Sequence, residues 1–298
     1  MAYCLSILLW LAGAGLQLGQ PPRPLEVVVS PPRPAQGGLV LVELRGLRGQ
    51  DRVGGRFGDR PLRFFADGRG RIRALAAVPV DAEPGPLPLR VRVEPAGAAP
   101  MVRGLAVPVR AGRFDEQPLR VEPKFVRPPP AVHDRIERER QQLQALWRRS
   151  STRRKWSGSF SWPRRDTITS AFGLRRMFNG QLRSRHLGLD IDGKVGQPVR
   201  AIGAGRVVLV ARRYYAGGTV VIDHGLRLFS LYFHLSRFAV EPGQAVARGQ
   251  RIGSVGRSGR VTGPHLHLAT RLEDGLFDPR ALLDLDLEAA LPGVRRRP

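Results

Sequence analysis

The sequence predicts a mainly β protein in which two β domains are joined by a helical connector. Short apolar runs with a period of two, separated by turns, recur through residues 20–112 and again through residues 158–285. One stretch alone, from Val132 to Arg149, repeats its apolar positions with a helical period. Within the second β region, four side chains of the metal-ligating kind fall in two tight pairs.

Residues 1–19 form an apolar run centred on Ile7-Leu8-Leu9-Trp10-Leu11 and end in small residues. The run is short for a bilayer span and has the character of a secretory signal, so a signal peptide and export to the periplasm or cell envelope are expected. An uncleaved anchor is the alternative. Cys4 is the sole cysteine, so an exported mature chain gains no disulfide and relies on packing and any bound metal.

Pro21-Pro22-Arg23-Pro24 reads as a linker. Beyond it, strands are expected at 25–29, 39–44, 62–65, 72–78, 87–93 and 102–109, with turns at Gly37-Gly38, Asp67-Gly68-Arg69-Gly70 and Glu83-Pro84-Gly85-Pro86. Strands at this spacing predict a β-sandwich of immunoglobulin-like type over residues 20–112, without a Cys-Trp-Cys signature. The segment holds no histidine. Its expected role is targeting, spacing or binding a wall-enzyme or divisome partner, with a purely structural role as an equal alternative.

The connector spans residues 113–157. Pro128-Pro129-Pro130 precedes the helix, Ile136, Leu143 and Trp147 share a face, and acidic residues lie early with Arg148 and Arg149 late, as the helix dipole favours. The helix is expected to pack across both domains, with His133 at its start in a surface or capping role. From 158 to 285, strands at 199–202, 206–210, 219–223, 226–232, 251–255 and 265–271 predict an antiparallel, barrel-like sheet capped by a short helix from Asp278. Residues 286–298 form a basic tail ending near Arg295-Arg296-Arg297.

The formal charge is +24, and all but three of the 49 basic residues are arginine, the exceptions being Lys124, Lys155 and Lys194. Such a chain is drawn to anionic polymers and lipid. No aromatic-rich RNA motif or zinc-finger spacing accompanies the basic clusters, so no specific nucleic-acid partner is expected. The charge is read as an aid to envelope association.

His186 and Asp190 are four apart, and His265 and His267 are two apart. On a strand, residues two apart share a face, so both histidines point one way while Leu266 enters a core; one could hold a metal and the other face the same water. His186 and Asp190 fit a helical turn or a loop, with Gly188 between them favouring an extended or looped backbone. A catalytic zinc takes three protein ligands and keeps a fourth position for water. No His-Glu-x-x-His helix is present.

The set His186-x-Gly188-x-Asp190, Tyr232-x-His234-Leu235 and Gly256-x-Ser258-Gly259-x-x-Thr262-Gly263-Pro264-His265-Leu266-His267 resembles the lysostaphin-type, LytM-like zinc endopeptidases of family M23. The likeness covers roughly residues 158–284, and Thr169-x-Ala171-Phe172-Gly173-x-Arg175 and Gly196-x-Pro198-Val199-x-Ala201 agree with it. It implies zinc ligands His186, Asp190 and His267, and His234 with His265 as the catalytic pair. It implies hydrolysis of peptide bonds in peptidoglycan, in cross-links or stem peptides. Asn179 resembles a family position that approaches the metal, although a turn at Asn179-Gly180 is the plainer reading. After His267 the chain runs Leu268-Ala269-Thr270, where the family often has an aromatic and a glutamate. A noncatalytic activator of a wall amidase, which would lack zinc ligands, is the alternative function.

Overall fold

The computed structural model describes residues 24–289, apart from 48–49, 97–98, 120–123, 125–126 and 179–180. The expected signal peptide, Asn179 and the Arg295–Arg297 tail lie outside the described residues. The first half contains β1 (Glu26–Ser30), β2 (Leu39–Arg45), β3 (Arg52–Phe57), β4 (Arg60–Pro61), β5 (Phe65–Ala66), β6 (Ile72–Ala77), β7 (Gly85–Glu94) and β8 (Met101–Val109). They form two four-stranded sheets ordered β1-β2-β6-β5 and β4-β3-β7-β8, which is the ABED and C′CFG order of immunoglobulin-like sandwiches.

Both faces of the first sheet are buried. Val40, Val42, Leu44, Ala74 and Ala76 point into the sandwich against Leu89, Val91 and Val107. The alternate residues Leu39, Leu41, Leu75 and Ala77 join a second core with Leu272, Phe277, Leu282 and Leu283 from the end of the chain. Side-chain alternation therefore gives one pair of strands to two cores. The buried Arg73 strengthens this junction: its Nε donates to Glu43 Oε2 at 2.8 Å and its Nη1 to Leu287 O at 2.6 Å.

The connector supplies β9 (Glu116–Leu119) and α1 (His133–Arg148). His133 is the exposed first residue of the helix, with Nε2 3.0 Å from Pro128 O; the N-cap is Val132, and no side chain caps the helix start. The helix does not bridge the two halves as predicted. Its apolar face, Leu143, Leu146 and Trp147, packs on Leu209, Val221, Phe229, Leu231 and Ala269 of the second half, and Trp147 meets Phe229 edge-on at 4.8 Å. Arg213 Nη1 donates to Gln142 Oε1 at 3.0 Å and Arg135 Nη2 to Arg212 O at 3.2 Å, which fixes the docking to that sheet.

The second half continues through β10 (Ile168–Ser170), β11 (Arg175–Phe178), β12 (Gln181–Arg185), β13 (Leu189–Asp192), β14 (Pro198–Arg200), β15 (Gly205–Arg213) and β16 (Gly217–Asp223). It ends with β17 (Leu228–Leu235), β18 (Arg237–Phe238), β19 (Ala245–Val246), β20 (Arg251–Ser254), β21 (His265–Leu272), β22 (Gly275–Phe277) and α2 (Pro279–Leu283). The main sheet runs β10-β13-β21-β17-β16-β15-β19, with β22 on β21. It is open: no pairing closes it into a barrel among the described residues. A second sheet, β14-β20-β18, covers one of its faces through Val199 and Ile252. Two segments that carry no apolar alternation complete a third sheet, β12-β11-β9, in which the connector strand pairs parallel to β11.

Candidate metal centre

On β21, Leu266, Leu268 and Leu272 enter the main core, so His265, His267 and Ala269 face the opposite side. The register sets Asp190 of β13 opposite His267 and Phe233 of β17 on its other flank. The site thus occupies one end of a sheet face whose other end is covered by α1. His186 lies just after β12, where Gly173 N donates to its carbonyl at 2.7 Å and its own N donates to Leu174 O at 2.8 Å.

The donor atoms of three residues converge. Asp190 Oδ1 is 3.0 Å from His186 Nε2 and 2.7 Å from His267 Nδ1, and the two imidazole nitrogens are 3.0 Å apart. His186 Nδ1 donates to Ala171 O at 2.7 Å, which leaves Nε2 as a lone pair. One proton on His267 can serve a single contact in this triangle, and the remaining lone pairs face one another. Such a donor set fits a shared cation, and two imidazoles with a carboxylate are the set zinc accepts. Among the described residues these three form the group able to hold a metal ion.

Burial would raise the Asp190 carboxyl, but its contacts with the His186 and His267 rings outweigh it and hold the group well below the usual carboxylate range. Arg176 Nη2 donates to Asp190 Oδ2 at 2.8 Å, and Gln117 of the connector strand approaches both Arg176 Nε at 3.3 Å and Ser170 Oγ at 3.2 Å. Gly188 permits the close approach of β21. A Cβ there would run into His267 Nε2 and lie 2.6 Å from Leu268 O.

His234 and His265 flank the triangle, their rings 4.9 Å apart. His234 has a φ of 65°, and the β16–β17 register slips beside it, so that it joins Phe233 on the site side instead of alternating away. Its Nδ1 donates to Ser258 O at 2.8 Å, and His265 Nδ1 donates to Gly263 O at 3.0 Å. Each therefore presents Nε2. His265 Nε2 lies 3.7 Å from Asp190 Oδ1. Burial, with His267 and His265 adding to it, pushes the pKa of His234 down to about 3.

All five sequence-predicted site residues thus meet at one place. Tyr232 does not: it is fully buried, and its hydroxyl accepts from Ile202 N at 2.9 Å. Arg176, Gln117 and Arg260 were not read from the sequence. The one available signal was the pair Arg175-Arg176, since on a strand one of two adjacent arginines must face inward. Two hollows open beside the triangle. One, of about 690 Å³, is lined by Gln117, Ser170, Asp190, His265 and Thr262. The other, of about 680 Å³, is lined by His186, His267, Phe233, Tyr215 and Arg185. Arg176, His234 and Arg260 border both.

The sequence profile of peptidase family M23 matches residues 184–279. Peptidoglycan DD-endopeptidase ShyA of Vibrio cholerae is 48% identical over 101 residues, 34% of this chain and 24% of its own length. The DD-carboxypeptidase/endopeptidase Mpg of Neisseria meningitidis is 38% identical over 112 residues, 38% of this chain and 26% of its own. The matched region thus spans about a quarter of these relatives. A crystal structure of a peptidase M23 candidate from Pseudomonas aeruginosa superposes with a TM-score of 0.65 and 28% identity, covering 84% of this chain and 95% of that one. That likeness extends through the sandwich as well as the site.

Proposed function

We propose that this chain, whose residues 184–279 match the profile of peptidase family M23, is an exported zinc metalloendopeptidase that hydrolyses peptide bonds of peptidoglycan during cell-wall remodelling. The convergence of His186, Asp190 and His267 carries this reading. In it these three residues hold the zinc. Once bound, the ion supplies Lewis acidity for the scissile carbonyl and lowers the pKa of an attacking water.

The remaining roles belong to the chain. Asp190 is the single anionic ligand, so the centre keeps a net positive charge toward an electron-rich carbonyl. Arg176 holds its second oxygen and fixes the carboxylate plane. His234, neutral at pH 7 and locked by Ser258, offers Nε2 as a fixed acceptor that orients the attacking water. His265 is less enclosed and takes the proton, then returns it to the leaving amine. The sandwich is assigned to partner binding or placement in the envelope, and the basic surface to retention near anionic envelope polymers.

The test is release of soluble fragments from purified peptidoglycan by the zinc-loaded protein, beside His267→Ala and a chelator control. Fragments that appear only with intact ligands and metal support the reading, and their masses name the bond. Stoichiometric zinc binding without release, reversed by an added wall amidase, would instead favour the activator.

A further inference from the structure

The four edges of the sandwich are unequal. β4 and β5 have two residues each and β1 has five, whereas β8 has nine. β8 pairs with β7 along one side, and among the described residues no strand lies along the other. The chain closes that side only beyond the strand, where Arg110 N donates to Pro34 O at 2.8 Å and Gln36 N to Arg110 O at 3.0 Å. A long open edge is a template for another strand, and charges, prolines or a covering loop ordinarily blunt it. β8 carries one charge, Arg103, and one proline, Pro108, near its end. It also holds Val102 and Leu105, which are 57% and 40% exposed. A Cβ at Gly104, between them, would meet nothing within 4 Å, and a glycine inside a strand often marks the close approach of another backbone.

The face beside that edge is basic. Arg52, Arg56, Arg90 and Arg92 are exposed on the outer side of β3 and β7, and the one carboxylate among them, Glu94, accepts from Arg92 Nε at 2.8 Å. Arg56 lies directly opposite Arg90, a like-charge pair that costs stability unless an anion joins it. On their other flank Arg90 lies opposite Gly104 and Arg92 opposite Val102. The residue between Arg90 and the open edge therefore has no side chain.

We propose that β8 is a docking edge that takes an extended acidic segment of a partner protein as a fifth strand of this four-stranded sheet. Backbone pairing along β8 supplies the affinity. Carboxylates on the outer side of the added strand reach Arg90 and Arg92, and apolar residues on its other side cover Leu105. A second copy of this chain fits the edge less well, because a charge of +24 on each would oppose the pairing. The inference rests on the reading of the sandwich as a partner-binding unit and is independent of the metal centre.

Hydrogen exchange on the full-length protein tests this with a synthetic peptide, as long as β8, that alternates glutamate with valine. The peptide is expected to slow amide exchange within Met101–Val109 by about tenfold. It should bind about tenfold more tightly than a counterpart that alternates lysine with valine. Replacing alternate valines of the peptide by proline should abolish the slowing, since proline cannot donate to the ladder. Arg90→Glu should weaken binding of the acidic peptide about tenfold and leave the circular dichroism spectrum unchanged. Equal binding of the acidic and basic peptides, slowing that survives the prolines, or no slowing in β8 would overturn the proposal. So would slowing of β8 by phosphatidylglycerol vesicles but not by the peptide. None of these readouts involves turnover, so a failure to cut peptidoglycan counts against the peptidase reading alone.

Discussion

At the scale of single residues, the site depends on positions that hold nothing themselves. Gly188→Ala would drive a Cβ into His267 Nε2, and zinc affinity should fall about 10–100-fold, as when a ligand's support is lost. Metal analysis after dialysis checks this, with circular dichroism expected to show the fold intact. His224 lies outside the site and has a different role. Its Nδ1 donates to Ala204 O at 2.8 Å, and Ser230 Oγ lies 2.8 Å from its Nε2 and 3.0 Å from Tyr232 OH. Burial lowers its pKa from 6.5 to about 4, so between these values the unfolded chain binds the extra proton. Stability is therefore lost as pH falls through this window, by roughly 3 kcal/mol from this group. Urea titrations from pH 7 to pH 4 should show that decline, with a shallower one in His224→Gln. The metal-type residues were legible because their spacing is local. Arg176 was not, since its meaning depends on Asp190 arriving from a strand of another sheet.

At the scale of elements, β21 is the dividing wall. Its even-numbered residues build the core and its odd-numbered ones build the site and the seat of α1. Trp147→Ala should cost about 1–3 kcal/mol by removing a half-buried ring from Phe229 and Leu231, with zinc content unchanged. Chemical denaturation and metal analysis on the same sample check both parts. The helix itself was legible from its period, but its seat was not: an amphipathic face states that it packs, not against what. β3 was missed because Gly54, Gly55 and two arginines dilute its alternation. The stretch predicted as one strand at 62–65 instead splits around Leu62, which turns into the sandwich core. β9 had no signal to read. Its four residues, Glu-Gln-Pro-Leu, become a strand by pairing with β11, 59 residues further on at the register Glu116–Arg175.

At the scale of the whole molecule, the sandwich and the metal-bearing half fold as one body. Separating them would uncover Leu39, Leu41, Leu75 and Ala77 together with Leu272 and Phe277, a contiguous apolar surface that water penalises. Calorimetry of the described region should show a single transition with equal calorimetric and van't Hoff enthalpies. Arg73→Met tests the junction differently: it removes one of the two guanidiniums, Arg45 being the other, that hold the Glu43 carboxyl below its usual value against burial, and it takes the donor from Leu287 O. A loss of about 3–5 kcal/mol is expected, measured as a fall in the same single transition. The double-sided sheet also bears on how such a chain tolerates change. Inserting one residue early in β2 would exchange the side chains given to each core. A frame-preserving lesion some 140 residues before His186 would then deprive the metal-bearing half of its packing while leaving every ligand in the sequence.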